Sequence, residues 1–347
     1  MKILHVLNTG KYSGAENVVI TLINSLKDRC DFAYASPDGP IRSILEENDI
    51  KFFPMKQKQV NRYELQQIVD TYNPDIIHAH DFRAGIISGL IKKKIPIINH
   101  LHNNPPWIRQ MGIKTLLYGI SCRKYKYILT VSKAVSDEFI LKKFINAKMY
   151  NVGNPISAKI INAKANEFDV IEKKDIIFVG RLSQQKNPIR FLNIVRKIVD
   201  VKPELQISMV GTGELKQDVI QTIKVLNLEK NIEFYGFQRN PYPFMKNSKI
   251  MCMTSEWEGF GLVAVEGMTL GLPVIAFPVG GLQNIINDTC GKLCASDEEY
   301  VEIVLRLLDN SEVYRERSLG AVKRAKEYNN IDQYALNMLN IYNEIKK

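Results

Sequence analysis

Ser255-Glu256-Trp257-Glu258-Gly259-Phe260-Gly261-Leu262-Val263-Ala264-Val265-Glu266-Gly267-Met268 follows an apolar run, Ile250-Met251-Cys252-Met253-Thr254, that reads as a buried strand of a parallel sheet. Gly259 and Gly261 interrupt regular structure and let the backbone come close to a ligand. A helical pattern starts at Leu262, so the free amides of its first turn face back toward the glycines. A helix start after a glycine turn suits an anion. Glu258 sits at the mouth of the turn, and Glu266, four residues past Leu262, shares its helix face. One carboxylate before the anion site and one beyond it suggest a phosphorylated ligand with hydroxyl groups, the pattern of a nucleotide sugar. Strand–glycine–helix turns are common, and glutamates near helix starts favour the dipole without any function. The paired glutamates beside Trp257 and Phe260 tip the turn toward function.

Outward from this stretch, short apolar runs alternate with amphipathic segments. Lys2–Asn8, Asp31–Ser36, Lys51–Met55, Ile76–His80, Pro96–His102 and Lys126–Ser132 read as strands. Ala15–Lys27, Arg62–Tyr72, Arg83–Ile91 and Lys133–Lys143 read as the helices between them. The pattern stops near Asn154-Pro155, crosses a polar stretch to Lys174, and restarts. Asp175–Gly180, Gln206–Gly211, Ile232–Phe237, Lys249–Thr254 and Pro273–Phe277 are the later strands. Strands separated by helices imply right-handed βαβ units and parallel sheets. The expectation is two successive doubly wound α/β domains, 1–160 and 170–330, with a terminal helix, 331–347, that packs back toward the first. Ligands of such sheets bind beyond the carboxyl ends of the strands, which puts the expected site in a cleft between two facing domains.

Composition narrows the class. The 347 residues are 45% hydrophobic and 24% charged, as in soluble globular proteins. The N-terminus turns polar too soon for a signal peptide, and the longest apolar candidate, Phe260 to Leu282, contains Glu266 and two prolines. The five cysteines are scattered without a CxxC pair, which fits reduced thiols in a cytoplasmic protein. Of the net charge of +10, residues 1–170 carry +9. A basic first half points to an acidic partner: a nucleic acid, an anionic membrane surface or a charged substrate. A solvated basic surface is the plain alternative.

Three further segments end strands. Thr9-Gly10-Lys11-Tyr12-Ser13-Gly14-Ala15-Glu16 opens a helix after the first strand; it is not GxGxxG, and no GxxxxGK[ST] occurs in the chain. His78-Ala79-His80-Asp81 and His100-Leu101-His102-Asn103 close two of the expected strands, and polar active-site histidines are favoured there over a metal centre. Val179-Gly180-Arg181-Leu182-Ser183-Gln184-Gln185-Lys186-Asn187 closes the first strand of the second domain, where Arg181 and Lys186 can converge on a diphosphate. Gly211-Thr212-Gly213-Glu214 closes the next.

Val179–Asn187, Gly211–Glu214 and above all the Glu258–Glu266 segment with the following Gly271-Leu272-Pro273-Val274-Ile275 resemble the signature of the family 4 retaining glycosyltransferases of GT-B fold. Ser13-Gly14-Ala15-Glu16 resembles that family's N-terminal glycine loop, with Ser13 where a second glycine is usual, and His102 its strand-end histidine. The likeness spans nearly the whole chain. It implies that Arg181 and Lys186 hold the donor's diphosphate and stabilise the charge of the leaving group, helped by the backbone of Gly259, Phe260, Gly261 and Leu262. It implies that Glu266 binds the ribose hydroxyls, that Glu258 and His102 contact the transferred sugar, and that the loop at Gly14 approaches the donor. Retention without an obvious nucleophile implies front-face attack, and the lack of any DxD triplet agrees with a reaction that needs no metal or other cofactor.

The family's acceptor meets the first domain, which here is the basic one. Pro105–Tyr118, rich in Trp and Leu, lies between Lys92-Lys93-Lys94 and Arg123-Lys124-Tyr125-Lys126, with Lys142-Lys143 beyond. This suits a saccharide or lipid-linked saccharide acceptor of polysaccharide biosynthesis and peripheral contact with an anionic membrane from the cytoplasmic side. For the donor, the resemblance implies a nucleotide sugar, taken here as a UDP-sugar. A nucleic-acid-binding protein would need an aromatic–basic platform or a known module, and neither is visible. A nucleotide-sugar epimerase on the same scaffold is the rival enzyme.

Overall fold

Continuous apolar runs become strands buried on both faces, as parallel sheets demand. The structure, a computed structural model, describes residues 1–145, 147–169 and 172–346. Residues 170 and 347, where two of the expected domain limits fall, lie outside them.

The chain divides into two units: Met1–Pro155 with Asn330–Lys347, and Ile156–Asn329. Among the described residues, the first holds seven parallel strands: β1 (Lys2–Val6), β2 (Asp31–Pro37), β3 (Lys51–Met55), β4 (Ile76–His80), β5 (Ile97–Leu101), β6 (Tyr125–Thr130) and β7 (Lys148–Asn151). Their order is β3-β2-β1-β4-β5-β6-β7. The second holds β8 (Lys174–Val179), β9 (Ile207–Val210), β10 (Ile232–Gly236), β11 (Ser248–Cys252), β12 (Val274–Ala276) and β13 (Gly291–Leu293), in the order β10-β9-β8-β11-β12-β13. Both sheets therefore reverse direction beside their first strand. The switch points lie between β1 and β4 and between β8 and β11, the places where ligands of such sheets bind.

Local sequence explains the elements that frame these points. Asn187 adopts φ +46° and its side chain accepts the Arg190 amide, Pro188 takes the first helical position, and Phe191, Leu192, Val195, Ile198 and Val199 bury one stripe of the helix Pro188–Val201. The helix Ile331–Lys346 buries Tyr334, Ala335, Met338 and Tyr342, and the Tyr342 hydroxyl meets His78 Nδ1 at 2.7 Å in the first unit.

Some expectations need correction. Lys133–Lys143 is not one helix: it is helical over Lys133–Asp137, and a separate 3-10 turn covers Lys142–Phe144. The chain leaves the helix because the Ile140 amide bonds the Ile108 carbonyl at 3.1 Å. The stretch between the domains is not merely polar linker, since Ala158–Lys164 is a helix capped by Ser157. Strands β7 and β13 and the helix Ile41–Glu47 were not expected.

Candidate active site

In the second unit the two switch-point loops are sewn together. Thr254, just past β11, donates its hydroxyl to the carbonyls of Lys186 and Asn187 at 3.0 and 2.9 Å. The Glu256 amide donates to the Gln185 carbonyl at 2.8 Å, the Gln185 side chain donates to the Trp257 carbonyl at 3.0 Å, and Asn187 reaches the Glu256 carboxylate. These bonds bring the Lys186 ammonium onto the Glu258 carboxylate, whose Oε1 also accepts the Ser255 hydroxyl at 2.9 Å. Glu258 is buried; Lys186 keeps an edge to solvent. An ammonium and a carboxylate held together at a protein–solvent boundary make a polar socket with fixed charge positions.

Arg181 lies on the same loop as Lys186, 56% exposed, and pairs at 3.1 Å with Glu214 on the loop after β9. Glycines allow the two loops to lie this close. Gly211 has φ +146°, and a Cβ there would fall 1.8 Å from the Gly180 carbonyl oxygen; one on Gly213 would fall 2.2 Å from that of Leu182. The Leu182 amide bonds the Thr212 carbonyl at 3.0 Å, which fixes the backbone that carries Arg181.

The glycine turn then enters the helix Leu262–Thr269. Gly261 caps it at φ +102°, with Leu282 Cδ2 only 2.4 Å from where a Cβ would stand. The amides at the start of such a helix point out of its end, so the start of the helix at Gly261 and Leu262 offers an electropositive end beside the Lys186–Glu258 pair. Glu266, one turn on, accepts the Tyr242 hydroxyl at 3.0 Å. Burial pushes its carboxyl above the usual range, while Tyr242 and the charges of Lys164 and Lys186 pull it back. Lys186, Glu258, Gly259, Phe260, Gly261, Leu262 and Glu266 thus gather at one switch point, with Arg181 at the start of the loop that carries Lys186. Thr254, Gln185, Asn187 and Tyr242, which support them, are not legible as site residues because their contacts arise only when segments distant in sequence become neighbours. Ser255 supports Glu258 from three residues away.

Gly14 and His102 belong to the first unit. Gly14 is exposed and opens the helix Gly14–Leu26. Behind it, buried Glu16 accepts the hydroxyls of Ser13 and Thr9 at 2.5 and 3.4 Å, which shapes the loop from side chains rather than from a second glycine. His102 follows β5, and its backbone amide donates to Asp81 Oδ1 at 2.9 Å. Asp81 has φ +63°, and burial raises its carboxyl to about 7. His80 and His102 are joined by a ring–ring hydrogen bond of 2.8 Å, and His80 meets His5 at 2.9 Å. His5 had not been singled out; sequence shows it as one histidine within a strand, and only the β1–β4 pairing sets it beside His78. The ring nitrogens of His5, His78 and His80, and of His80, His100 and His102, lie within 4.8 Å of one another, near enough for a transition metal. Desolvation holds all five histidines neutral, His5 and His102 down at about 3.

The helix Ile113–Ser121 leaves Ile113, Leu116, Leu117 and Ile120 exposed, and Phe144 is 79% exposed. Leu116 and Leu117 are therefore surface, not core. Among the described residues, no helix is long and apolar enough to cross a membrane.

The model of "Glycosyl transferases group 1" matches residues 161–327, and that of "Glycosyltransferase Family 4" matches residues 12–159. An Escherichia coli UDP-Gal:alpha-D-GlcNAc-diphosphoundecaprenol alpha-1,3-galactosyltransferase is 23% identical over 89% of this chain and 88% of its own. A Campylobacter jejuni N-acetylgalactosamine-N,N'-diacetylbacillosaminyl-diphospho-undecaprenol 4-alpha-N-acetylgalactosaminyltransferase is 27% identical over 68% of this chain and 64% of its own. Among solved structures, Anabaena HepE in complex with UDP and glucose superimposes with a TM-score of 0.84 at 19% identity, over 99% of this chain and all of that one.

Proposed function

The chain belongs to the family 4 glycosyltransferases, with the paired α/β units of the GT-B fold, and on that premise we propose that it moves a sugar from a UDP-sugar to a lipid-linked saccharide, with retention and without a metal. The observation that carries this reading is the socket at the second switch point: a cation, a buried carboxylate and a helix start brought together by two sewn loops. Lys186, Arg181 and the Gly259–Leu262 amides hold the diphosphate. Glu266 accepts the ribose hydroxyls in place of the Tyr242 hydroxyl or beside it. Glu258 and His102 bind the transferred sugar, and the Gly14 loop approaches it.

The chemistry asked of these groups is charge stabilisation. The bond between the anomeric carbon and the diphosphate oxygen lengthens, and its electron pair stays with the diphosphate. The acceptor hydroxyl bonds the same face of that carbon and passes its proton to the departing diphosphate oxygen. The configuration is kept. Cations and aligned amides at the leaving group act where charge develops, which is where catalysis gains most.

Relatives whose names include diphosphoundecaprenol support a lipid-linked acceptor. The apolar face of Ile113–Ser121 and Phe144, flanked by exposed Lys114, Arg123, Lys124 and Lys143, supports peripheral contact with an anionic bilayer. Flotation with phosphatidylglycerol vesicles should carry the chain upward, and Ile113→Asp with Leu117→Asp should abolish this; failure of the unaltered chain to float refutes the membrane contact. The donor is tested by thermal shift against UDP-, GDP- and ADP-sugars, with Glu266→Ala and Arg181→Ala alongside. A rise with UDP-sugars alone, lost in both variants, is the expected result. A response to another base, or an undiminished response in the variants, refutes the donor assignment.

A further inference from the structure

The five histidines of the chain lie in the first unit, four on the neighbouring strands β1, β4 and β5 and His102 just past the end of β5. Their rings pack in sequence, stacked or tilted, His5 against His78 and His80, His78 and His80 against His100, and His100 against His102, with centroids 4.3 to 5.6 Å apart. Three of them form a hydrogen-bonded row. His5 Nδ1 meets His80 Nε2 at 2.9 Å, and His80 Nδ1 meets His102 Nε2 at 2.8 Å.

A neutral imidazole has one N–H and one lone pair. His80 uses both nitrogens, so the position of its single proton sets the direction of both bonds. The row has only two consistent arrangements. In one, every proton sits on Nε2, and His102 turns a bare Nδ1 outward. In the other, every proton sits on Nδ1, and His102 turns an Nδ1–H outward.

The inner end decides between them. His5 Nε2 is buried and, among the described residues, has no hydrogen-bond partner. The first arrangement would leave an N–H orphaned there; the second leaves only an unused lone pair. Orphaned N–H groups are the rarer defect in protein interiors, and an unmet buried donor carries its full desolvation penalty. The outer end does not discriminate, because His102 is partly exposed and its Nδ1 can be met by a ligand in either form. Desolvation keeps the row neutral, so a doubly protonated ring does not remove the constraint.

We propose that the His5–His80–His102 row locks His102 as an Nδ1–H hydrogen-bond donor, with His5 and His80 as positioning residues. Resting on the reading that His102 touches the transferred sugar, this assigns the contact a direction: the ring donates to a sugar oxygen and does not accept a hydroxyl proton.

Nitrogen-15 NMR of the full chain labelled at histidine reads the tautomers directly, without donor or acceptor. All three rings of the row should report Nδ1–H, although free histidine in water prefers Nε2–H. An Nε2–H ring at His102, or averaged shifts from exchange between tautomers, overturns the proposal. So does a stoichiometric transition metal in the purified chain held at these rings, since a coordinated nitrogen carries no proton. In His80→Ala, water reaches His102 Nε2 and the ring should revert toward Nε2–H, with kcat/KM down about tenfold, the scale of one neutral hydrogen bond. His80→Asn supplies an amide N–H where Nδ1–H stood and should restore both readings. The UDP-induced thermal shift should be unchanged in both variants, because Lys186, Glu258 and Glu266 are untouched. Unaltered His102 shifts in His80→Ala would refute the role of His80. Failure to transfer any sugar would count against the proposed function and leave the tautomer result standing on its own.

Discussion

Removing the Lys186 charge should destabilise the second unit in a way that depends on Glu258. The side chains are 18% and 6% exposed, so Lys186→Met strands a carboxylate that is almost wholly out of water. Breaking a fully buried ion pair from one side costs about 3–5 kcal/mol. Here Ser255 still donates to the same oxygen at 2.9 Å, and water reaches the lysine end. The expected loss is therefore about 2–3 kcal/mol. For a unit the size of Ile156–Asn329, this amounts to about 5–10 °C in Tm. Glu258→Gln alone should lose less, because Lys186 can turn toward solvent. The double variant removes both charges and should be more stable than the summed single losses predict, by about 1.5 kcal/mol. Urea unfolding of the four proteins gives the cycle. A Lys186→Met loss below about 0.5 kcal/mol, or strict additivity, would show that the pair is not coupled and would remove the physical basis of the socket.

Glu266→Gln should raise Tm at neutral pH while weakening UDP binding. The folded-state carboxyl is shifted upward by burial, so the ionised form opposes folding above the ordinary carboxylate range, and the gain should vanish in acid. Equal gain at pH 4 and pH 8 would refute this. Asp81→Asn should behave similarly in the first unit. The carboxyl is raised from 3.8 to about 7, so the penalty is absent below the lower value, grows between the two and is complete above the upper one. Asparagine tolerates φ +63° and keeps an oxygen for the His102 amide, so its Tm advantage should open across that window. Gly261→Ala should cost about 1–3 kcal/mol from its left-handed backbone, with Leu282 forced to shift. A loss below about 0.5 kcal/mol in urea unfolding would show that the turn relaxes freely.

The strands were legible because a parallel sheet buries both faces, so Ile176, Ile177 and Phe178, or Ile76 and Ile77, follow one another without alternation. What escaped has physical reasons. β7 is an edge strand whose Lys148, Tyr150 and Asn151 are exposed, and β13 is three residues long. The break after Asp137 depends on Ile108, distant in sequence, taking the Ile140 amide. At the site, Lys186 and Glu258 could be named from their place at strand ends, yet nothing local shows that Thr254 would bridge to the carbonyls of Lys186 and Asn187. Tyr242 looks like an ordinary core aromatic until β11 brings its helix beside Glu266. The histidine row needs the strand order itself, because residues 5, 80 and 102 come together only through the switch between β1 and β4.

Sugar transfer from a UDP-sugar to a lipid-linked saccharide is tested directly by a transfer reaction. The purified chain is given a radiolabelled UDP-sugar and a diphosphoundecaprenol-linked saccharide in the presence of EDTA, and the products are separated and their anomeric configuration read by NMR. UDP release should be matched by label in the lipid-linked product, with the donor's α configuration kept and no loss of rate on chelation. Label that stays in an epimerised nucleotide sugar, a product of inverted configuration, or a reaction stopped by the chelator would contradict the proposed reaction.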